Sequence, residues 1–147
     1  MRHGFIKVAS ASPSLKVGNP EYNKGRIIEL MREAEKEGVK ILVFPELSIT
    51  GYTCGDLFFQ NSLLSSSQRA LSDIREVSKE LDLLTFVGYP LKYNGKLYNT
   101  LAAIQHGSVL AFFAKRNLPT YGEFYEERWF TPSPLENMLI DYKGEDV

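Results

Sequence analysis

The sequence contains a single cysteine, Cys54, among its 147 residues. One cysteine cannot form an internal disulfide, and this usage is typical of a reducing compartment. Long apolar runs are also lacking, because no stretch approaches the ~20 residues that cross a bilayer. Residues 1–7 lead directly into a strand-like run and lack the apolar core and cleavage site of a secretory signal. We therefore expect a cytoplasmic protein that has no membrane partner.

A charge excess of one sign is absent as well. Lys and Arg total 17 against 18 Asp and Glu, which gives a formal net charge of -1 with the two signs interleaved. Nothing in this balance favours nucleic acid or an anionic membrane as a partner. Glycine-rich phosphate loops of the P-loop or dinucleotide type are missing, and no cysteines or histidines have the spacing of metal ligands. We therefore expect neither a metal nor a cofactor in this chain.

The hydrophobic patterns predict a single α/β domain. Hydrophobic residues make up 44% of the chain, enough to bury roughly 70% of the unfolded surface in one core. A strand at residues 5–9 precedes a helix with Asn19 as N-cap, Pro20 in its first turn and Gly38 just after its end. The next strand covers residues 41–44. A strand, helix and strand in this order build a parallel sheet.

The second half of the chain changes character. A second amphipathic helix is predicted over residues 67–81, followed by a buried strand at 83–87. Asn94-Gly95 and His106-Gly107 are turns of the hairpin type, and they flank strands at 97–105 and 109–114. The sheet is therefore predicted to be mixed, with an antiparallel meander at its end. A further strand is predicted at 138–142, followed by a turn at Lys143-Gly144.

Glu46 follows the strand at residues 41–44, which Pro45 ends because proline has no N–H to donate. A carboxylate at the carboxyl end of a buried parallel strand stands where open α/β sheets usually bind ligands. It could act there as a general base. Alternatively, Glu46 caps or salt-bridges a neighbouring loop, and this stretch alone does not decide between the two.

Two other stretches are candidates for function. Cys54 lies in a loop with two glycines, where it could be a nucleophile, although a small packing residue is the commoner case. Residues 118–130 are rich in aromatic side chains and charges, so they either cover a pocket mouth or form an interface. The aromatic residues of this segment are Tyr121, Phe124, Tyr125, Trp129 and Phe130.

Two segments resemble the nitrilase superfamily of carbon–nitrogen hydrolases. The first reads FPELSITGYTCGDLF over residues 44–58, and the second reads KRNLPTYGEFYE over residues 115–126. Both are similar to the form of this family that serves as the glutaminase domain of glutamine-dependent NAD synthetases. The likeness extends over essentially the whole chain.

The resemblance implies an αββα sandwich, of which this chain would form one half as a mixed sheet with helices on one face. It implies that Glu46 is the general base, that Lys115 stabilises the oxyanion and that Glu123 orients the lysine and the substrate. Tyr52, Tyr121 and Phe124 match positions that line the glutamine pocket. Ammonia from glutamine would reach a separate synthetase domain, which uses ATP and Mg to amidate deamido-NAD.

The sequence also departs from the family pattern. The nucleophilic cysteine of the family follows the lysine segment and has no counterpart here, because Cys54 belongs to the glutamate segment. Thr120 stands where the family usually has asparagine. We therefore expect residues 1–147 to be the amino-terminal half of such a domain, inactive alone. We also expect a homo-oligomer, because residues 121–130 and the inner face of the sheet would be exposed. The alternatives are another nitrilase-type amidase or carbamoylase, or a non-catalytic assembly or binding module.

Overall fold

A computed structural model describes residues 4–134, 141–142 and 145–146 of the chain. The helices are α1 at Pro20–Lys36 and α2 at Asn61–Val77, with short 3₁₀ turns at Gly55–Phe59, Ser78–Glu80 and Glu126–Arg128. The strands are β1 at Lys7–Ser10, β2 at Val39–Val43, β3 at Leu84–Tyr93, β4 at Lys96–Gln105, β5 at Ser108–Ala114, β6 at Asp141–Tyr142 and β7 at Glu145–Asp146. Residues 138–140 of the last predicted strand and its Lys143-Gly144 turn lie outside the described residues.

The main sheet has the order β1-β2-β3-β4-β5. β1, β2 and β3 run parallel to one another, whereas β3, β4 and β5 form an antiparallel meander. Both hairpin turns have positive φ at their two central residues, 47° and 75° at Asn94-Gly95 and 47° and 83° at His106-Gly107. That backbone matches the twist of the flanking strands. The mixed α/β sheet predicted from the sequence is confirmed.

Helix α1 begins and ends where its caps predict. The Asn19 side chain accepts a hydrogen bond from the Tyr22 N–H at 3.0 Å, and Gly38 takes a φ of 72° just beyond the helix end. Helix α2 begins six residues earlier than predicted and ends at Val77 instead of Leu81. Its buried stripe already starts at Leu63, whose carbonyl accepts from Ser67 Oγ at 2.8 Å.

Strand β3 also runs further than the predicted 83–87, through Pro90 to Tyr93. Pro90 lies opposite Asn99 in β4. The Asn99 carbonyl accepts from the Lys115 N–H at 2.8 Å, so the backbone of Asn99 is directed toward β5. Pro90 and Asn99 therefore form a pair without mutual hydrogen bonds, where the missing N–H of proline costs little.

The two helices pack against each other and against one face of the sheet, α1 on β2 and α2 on β3. The core lies between these layers and includes Ile27, Met31, Leu42, Ile74 and Val87. The alternation of side chains along the strands places another apolar set on the opposite side. This open face consists of Val8, Ile41, Val43, Phe86, Leu101 and Phe113, which the strand register brings side by side. In the described part of the chain, neither helix combines the length and apolar character needed to cross a membrane.

Candidate active site

The turn that carries Glu46 is pinned directly onto β3. The Phe44 N–H donates to the Phe86 carbonyl at 2.9 Å and the Ile49 N–H to the Gly88 carbonyl at 3.2 Å. A Cβ on Gly88 would stand 2.2 Å from the Leu47 nitrogen, closer than atoms can approach. Leu47 itself takes a φ of 50°, a left-handed conformation that few non-glycine residues adopt. The position of Glu46 is therefore set by backbone packing and not by its own side chain.

Lys115 follows the last residue of β5, and its backbone is fixed on both sides. Its N–H donates to the Asn99 carbonyl at 2.8 Å, and its own carbonyl accepts from the Ser133 N–H at 3.0 Å. Its Nζ lies 2.7 Å from Glu46 Oε1 and 2.9 Å from Glu126 Oε1. The fold thus brings together Glu46 and Lys115, which are 69 residues apart in the chain.

Glu126 is the carboxylate that holds the lysine from the other side. It is 2% exposed, and its Oε1 accepts hydrogen bonds from Tyr52 Oη at 2.7 Å and from Lys115 Nζ. Its Oε2 is buried and has no hydrogen-bond partner within the described residues. Glu123, to which the resemblance assigns the lysine-orienting role, has an exposed side chain, whereas Glu126 is the residue of this segment that contacts Lys115.

Asn99 is a second residue of the site that was not predicted from the sequence. It lies in β4, is 3% exposed, and donates from Nδ2 to Glu46 Oε1 at 2.5 Å. The available signal was a pair of polar residues, Asn99 and Thr100, inside the otherwise apolar stretch 97–104. Buried polar side chains need partners, so such a pair marks a position where a partner should be sought.

The protonation states of the site follow from these contacts. Burial lowers the pKa of Lys115, but its hydrogen bonds to Glu46 and Glu126 and their negative charges outweigh burial and leave the pKa above 10.5. Burial raises the pKa of Tyr52, and the hydrogen bond to Glu126 raises it further. Near neutral pH the lysine is therefore an ammonium and the tyrosine a neutral hydroxyl donor.

The three predicted pocket aromatics form one group beside Glu126. The Tyr52 and Phe124 ring centroids are 6.4 Å apart, and those of Phe124 and Tyr121 are 6.0 Å apart, both with edge-on geometry. Tyr121 is 72% exposed, so this group faces solvent at its outer end. A cavity of about 240 Å³ lies elsewhere, near the starts of both helices, and none of these residues lines it.

Cys54 has the environment of a packing residue. It is 5% exposed and lies in a cluster with Leu47, Phe58, Leu63 and Phe130. Its Sγ donates to the carbonyls of Thr50 and Gly51 at 3.2 and 3.4 Å. Burial raises the pKa of this thiol, which disfavours the thiolate that a nucleophile needs. No group of three or more potential metal ligands occurs among the described residues.

A surface clip joins the loop after Glu46 to the turn that carries Glu126. Arg128 donates from Nε and Nη2 to the two oxygens of Asp56 at 2.8 and 2.9 Å, and Trp129 Nε1 donates to Asp56 Oδ1 at 3.0 Å. These bonds lower the pKa of Asp56 to about 2. We call Asp56, Arg128 and Trp129 the acid clip.

Comparisons with known proteins agree with this geometry. The profile of the family described as "Carbon-nitrogen hydrolase" matches residues 7–145. The glutamine-dependent NAD(+) synthetase of Mycobacterium tuberculosis is 37% identical over 146 residues, which are 99% of this chain and 22% of that protein. The same enzyme of Acinetobacter baylyi is 34% identical over 139 residues, or 95% of this chain and 25% of that protein.

Solved structures give a similar result. A crystal structure of a glutamine-dependent NAD(+) synthetase from Cytophaga hutchinsonii matches 96% of this chain and 24% of its own, with a TM-score of 0.89 and 30% identity. An amidase from Nesterenkonia matches 99% of this chain and 55% of its own, with a TM-score of 0.79 and 23% identity. At this identity the match shows that the two proteins share a fold and no more. The chain thus spans about a quarter or less of the curated relatives it matches.

Proposed function

The chain belongs to the carbon–nitrogen hydrolase family, and from this premise we propose that it contributes the base and the oxyanion stabiliser of a glutamine-hydrolysing domain. The observation that carries the proposal is the hydrogen-bonded series Glu46, Lys115 and Glu126. Lysine ammonium has three N–H groups, of which these two carboxylates take two. The third remains to stabilise an oxyanion.

The proposed reaction uses a thiol nucleophile. Glu46 takes the S–H proton while the sulfur attacks the side-chain amide carbon of glutamine, and Lys115 stabilises the negative oxygen that forms. The amide nitrogen then takes the proton from Glu46, the C–N bond breaks, and ammonia leaves a thioester. Water, deprotonated by Glu46, attacks the thioester to give glutamate, and the proton returns to the thiol sulfur.

We place the nucleophilic thiol in a part of the enzyme that these 147 residues do not include. The only cysteine of the chain, Cys54, is buried, and its thiol donates hydrogen bonds to backbone carbonyls. Burial also raises the pKa of this thiol. Its role is proposed to be packing. The greater length of the relatives is consistent with this placement.

The aromatic group of Tyr52, Tyr121 and Phe124 is proposed to line the glutamine pocket, since it borders Glu126. Glu123 remains a candidate for substrate contact. Because the relatives are glutamine-dependent NAD(+) synthetases, the ammonia is proposed to serve the amidation of deamido-NAD in a separate domain that uses ATP and Mg. The cytoplasmic location and the absence of a cofactor in this chain remain predictions.

The test is glutamate release by the complete enzyme and by the 147-residue chain. We expect Glu46→Gln and Lys115→Met to lower kcat by roughly 10³-fold, because each removes a group that acts on developing charge. Cys54→Ala and Lys40→Gln, which alters an exposed ion pair with Asp82, should retain activity. The chain alone should release no glutamate.

Two results would overturn the proposal. One is wild-type glutamine turnover by Glu46→Gln. The other is glutamate release by the isolated chain that disappears in Cys54→Ala. Preference for a different amide over glutamine, measured in the same assay, would instead favour a general amidase.

A further inference from the structure

Asn99 contacts both catalytic positions through different atoms. Its backbone carbonyl accepts from the Lys115 N–H at 2.8 Å, while its side-chain Nδ2 donates to Glu46 Oε1. The residue is almost fully buried in β4, between β3 and β5. One residue of β4 thus contacts both the backbone of the lysine and the carboxylate of the glutamate.

The two oxygens of Glu46 have different surroundings. Oε1 accepts from Asn99 Nδ2 and from Lys115 Nζ, which lies 2.7 Å away. Oε2 meets no hydrogen-bond donor among residues 4–134. Since Oε1 already accepts two hydrogen bonds, an incoming proton finds its open lone pairs on Oε2.

We propose that Asn99 is a positioning residue that holds the Glu46 carboxylate so that Oε2 is the atom that accepts the thiol proton. The inference rests on the proposed hydrolase function and specifies how its base is oriented. A proton on Oε2 leaves Oε1 as a carbonyl oxygen that still accepts from both donors. Neither donor has to move during the proton transfer, which is the condition for electrostatic preorganisation.

Lys115 alone could not impose this orientation. The terminal torsion of a glutamate side chain is soft and roughly two-fold, and a flexible ammonium attracts either oxygen equally. Without Asn99 the carboxylate plane could rotate about this torsion until both oxygens share Nζ, and neither oxygen would then stay free to accept the thiol proton. Asn99 prevents this because its amide projects from a paired strand and lacks the freedom of a long side chain.

The matched control is the neighbouring residue Thr100. It is also buried in β4, and its Oγ1 donates to the Tyr89 carbonyl at 2.6 Å on the helix side of the sheet. Thr100→Val therefore removes a buried hydrogen bond from the same strand without touching Glu46. Any loss of activity that merely follows loss of stability should appear in both variants.

The experiment compares Asn99→Ala, Asn99→Asp and Thr100→Val in the complete enzyme. Asn99→Asp keeps the size of the side chain and the backbone carbonyl but replaces the donor with a second carboxylate. We expect both Asn99 variants to lower kcat by about 10- to 100-fold with KM changed by less than about threefold, since misplacing a reacting group has this effect. Thr100→Val should lower the melting temperature and leave kcat within about twofold.

Crystal structures of the same variants provide a readout that does not depend on activity. In Asn99→Ala we expect the plane of the Glu46 carboxylate to turn away from its wild-type orientation, which differs from a half-turn that merely exchanges the two equivalent oxygens. Wild-type kcat in both Asn99 variants, or an unchanged carboxylate in their structures, would overturn the proposal. If the wild-type enzyme fails to hydrolyse glutamine, the proposed function fails, and the structures still decide whether Asn99 orients Glu46.

Discussion

At the scale of single residues, Glu126 and Lys115 depend on each other. Glu126 is a carboxylate with almost no exposure, and Lys115 is the cation that balances its charge. Leaving either charge buried without its partner is costly, because the desolvation of the remaining ion is no longer offset. The Tyr52 hydroxyl adds a neutral donor on the same oxygen. This pair therefore supports both the local fold and the charge state of the lysine.

Glu126→Gln tests this dependence by removing one charge at constant size. Burial still lowers the pKa of Lys115, while one of the two carboxylates that raise it is gone, so we expect its pKa to fall. In the wild type, the raised pKa means that Lys115 contributes stability that is fully present below 10.5 and lost as pH rises through the higher folded value. In the variant, this loss should occur at lower pH.

The measurement is a nitrogen NMR titration of the Lys115 side chain, with thermal melting from about pH 9 to 12. Glu127→Gln is the control, because Glu127 is exposed and adjacent in sequence. If Lys115 titrates alike in the wild type and Glu126→Gln, the two side chains are not coupled as described.

The residues of the site differ in how far the sequence predicts them. Glu46 was accessible from its place after a buried strand, because strand ends can be read from apolar runs and turns. Lys115 was accessible only from the resemblance of its segment to the family. Glu126 was not, because it shares an irregular segment with Glu123 and Glu127. Its inward direction depends on tertiary contacts: the Glu126 N–H donates to the Pro119 carbonyl, and Tyr52 and Lys115 donate to its side chain.

At the scale of elements, the acid clip fastens two 3₁₀ turns to each other. Asp56 belongs to the turn at Gly55–Phe59, while Arg128 ends the turn at Glu126–Arg128. A planar guanidinium and a carboxylate with two parallel bonds give a defined geometry. Since Glu126 begins the second turn, the clip also restrains the carboxylate that holds Lys115.

The clip should open in acid. The bonds from Arg128 and Trp129 lower the pKa of Asp56 to about 2 from 3.8, so its contribution to stability is present above 3.8 and is lost as pH falls toward 2. Trp129 is the only tryptophan, and its fluorescence reports the clip directly. We expect its emission to change across this range, and Asp56→Asn to show altered emission already at neutral pH.

The control for the clip is Asp82→Asn, which alters a different exposed carboxylate that is paired with Lys40. It should keep the wild-type emission and its acid response. An Asp56→Asn protein whose emission matches the wild type at every pH would show that Trp129 does not sense the clip.

Elements were predictable where local signals mark their ends. Helix α1 has a capping asparagine and a terminal glycine, so both of its ends were predicted. Helix α2 starts within a serine-rich stretch that is typical of loops, and its early turns are stabilised by packing of Leu63 and by the Ser67 bond to that residue. Tertiary contacts override intrinsic propensity in such a case.

At the scale of the whole molecule, the two helices α1 and α2 pack on the same side of the sheet, and among residues 4–134 no helix packs on the other side. On the open face, Phe113 of β5 is 56% exposed, and Val8 and Val43 are exposed on β1 and β2 at the other edge of the sheet. Contiguous apolar surface of this kind usually marks an interface. In the sandwich proposed from the family, a second sheet would cover this face.

We therefore expect the isolated chain to self-associate through the open face. Phe113→Glu should weaken association roughly 10- to 100-fold, because burial of one phenylalanine contributes a corresponding free energy. Gln68→Glu adds the same charge to an exposed site on α2 and should have no effect. Sedimentation at micromolar concentrations measures both, and a monomeric wild type would contradict the prediction.

The sheet order also has a consequence for the folding kinetics. The strands of the β3-β4-β5 meander are joined by two-residue turns and can pair early through local contacts. Strand β2 is separated from β3 by a long connection that contains α2, so these two strands pair only when that long loop closes. Glu46 belongs to the β2 side and Lys115 to the meander side, so their ion pair can form only in that later step. The rate at which the site assembles should therefore follow the slowest phase of refolding, and not the formation of secondary structure.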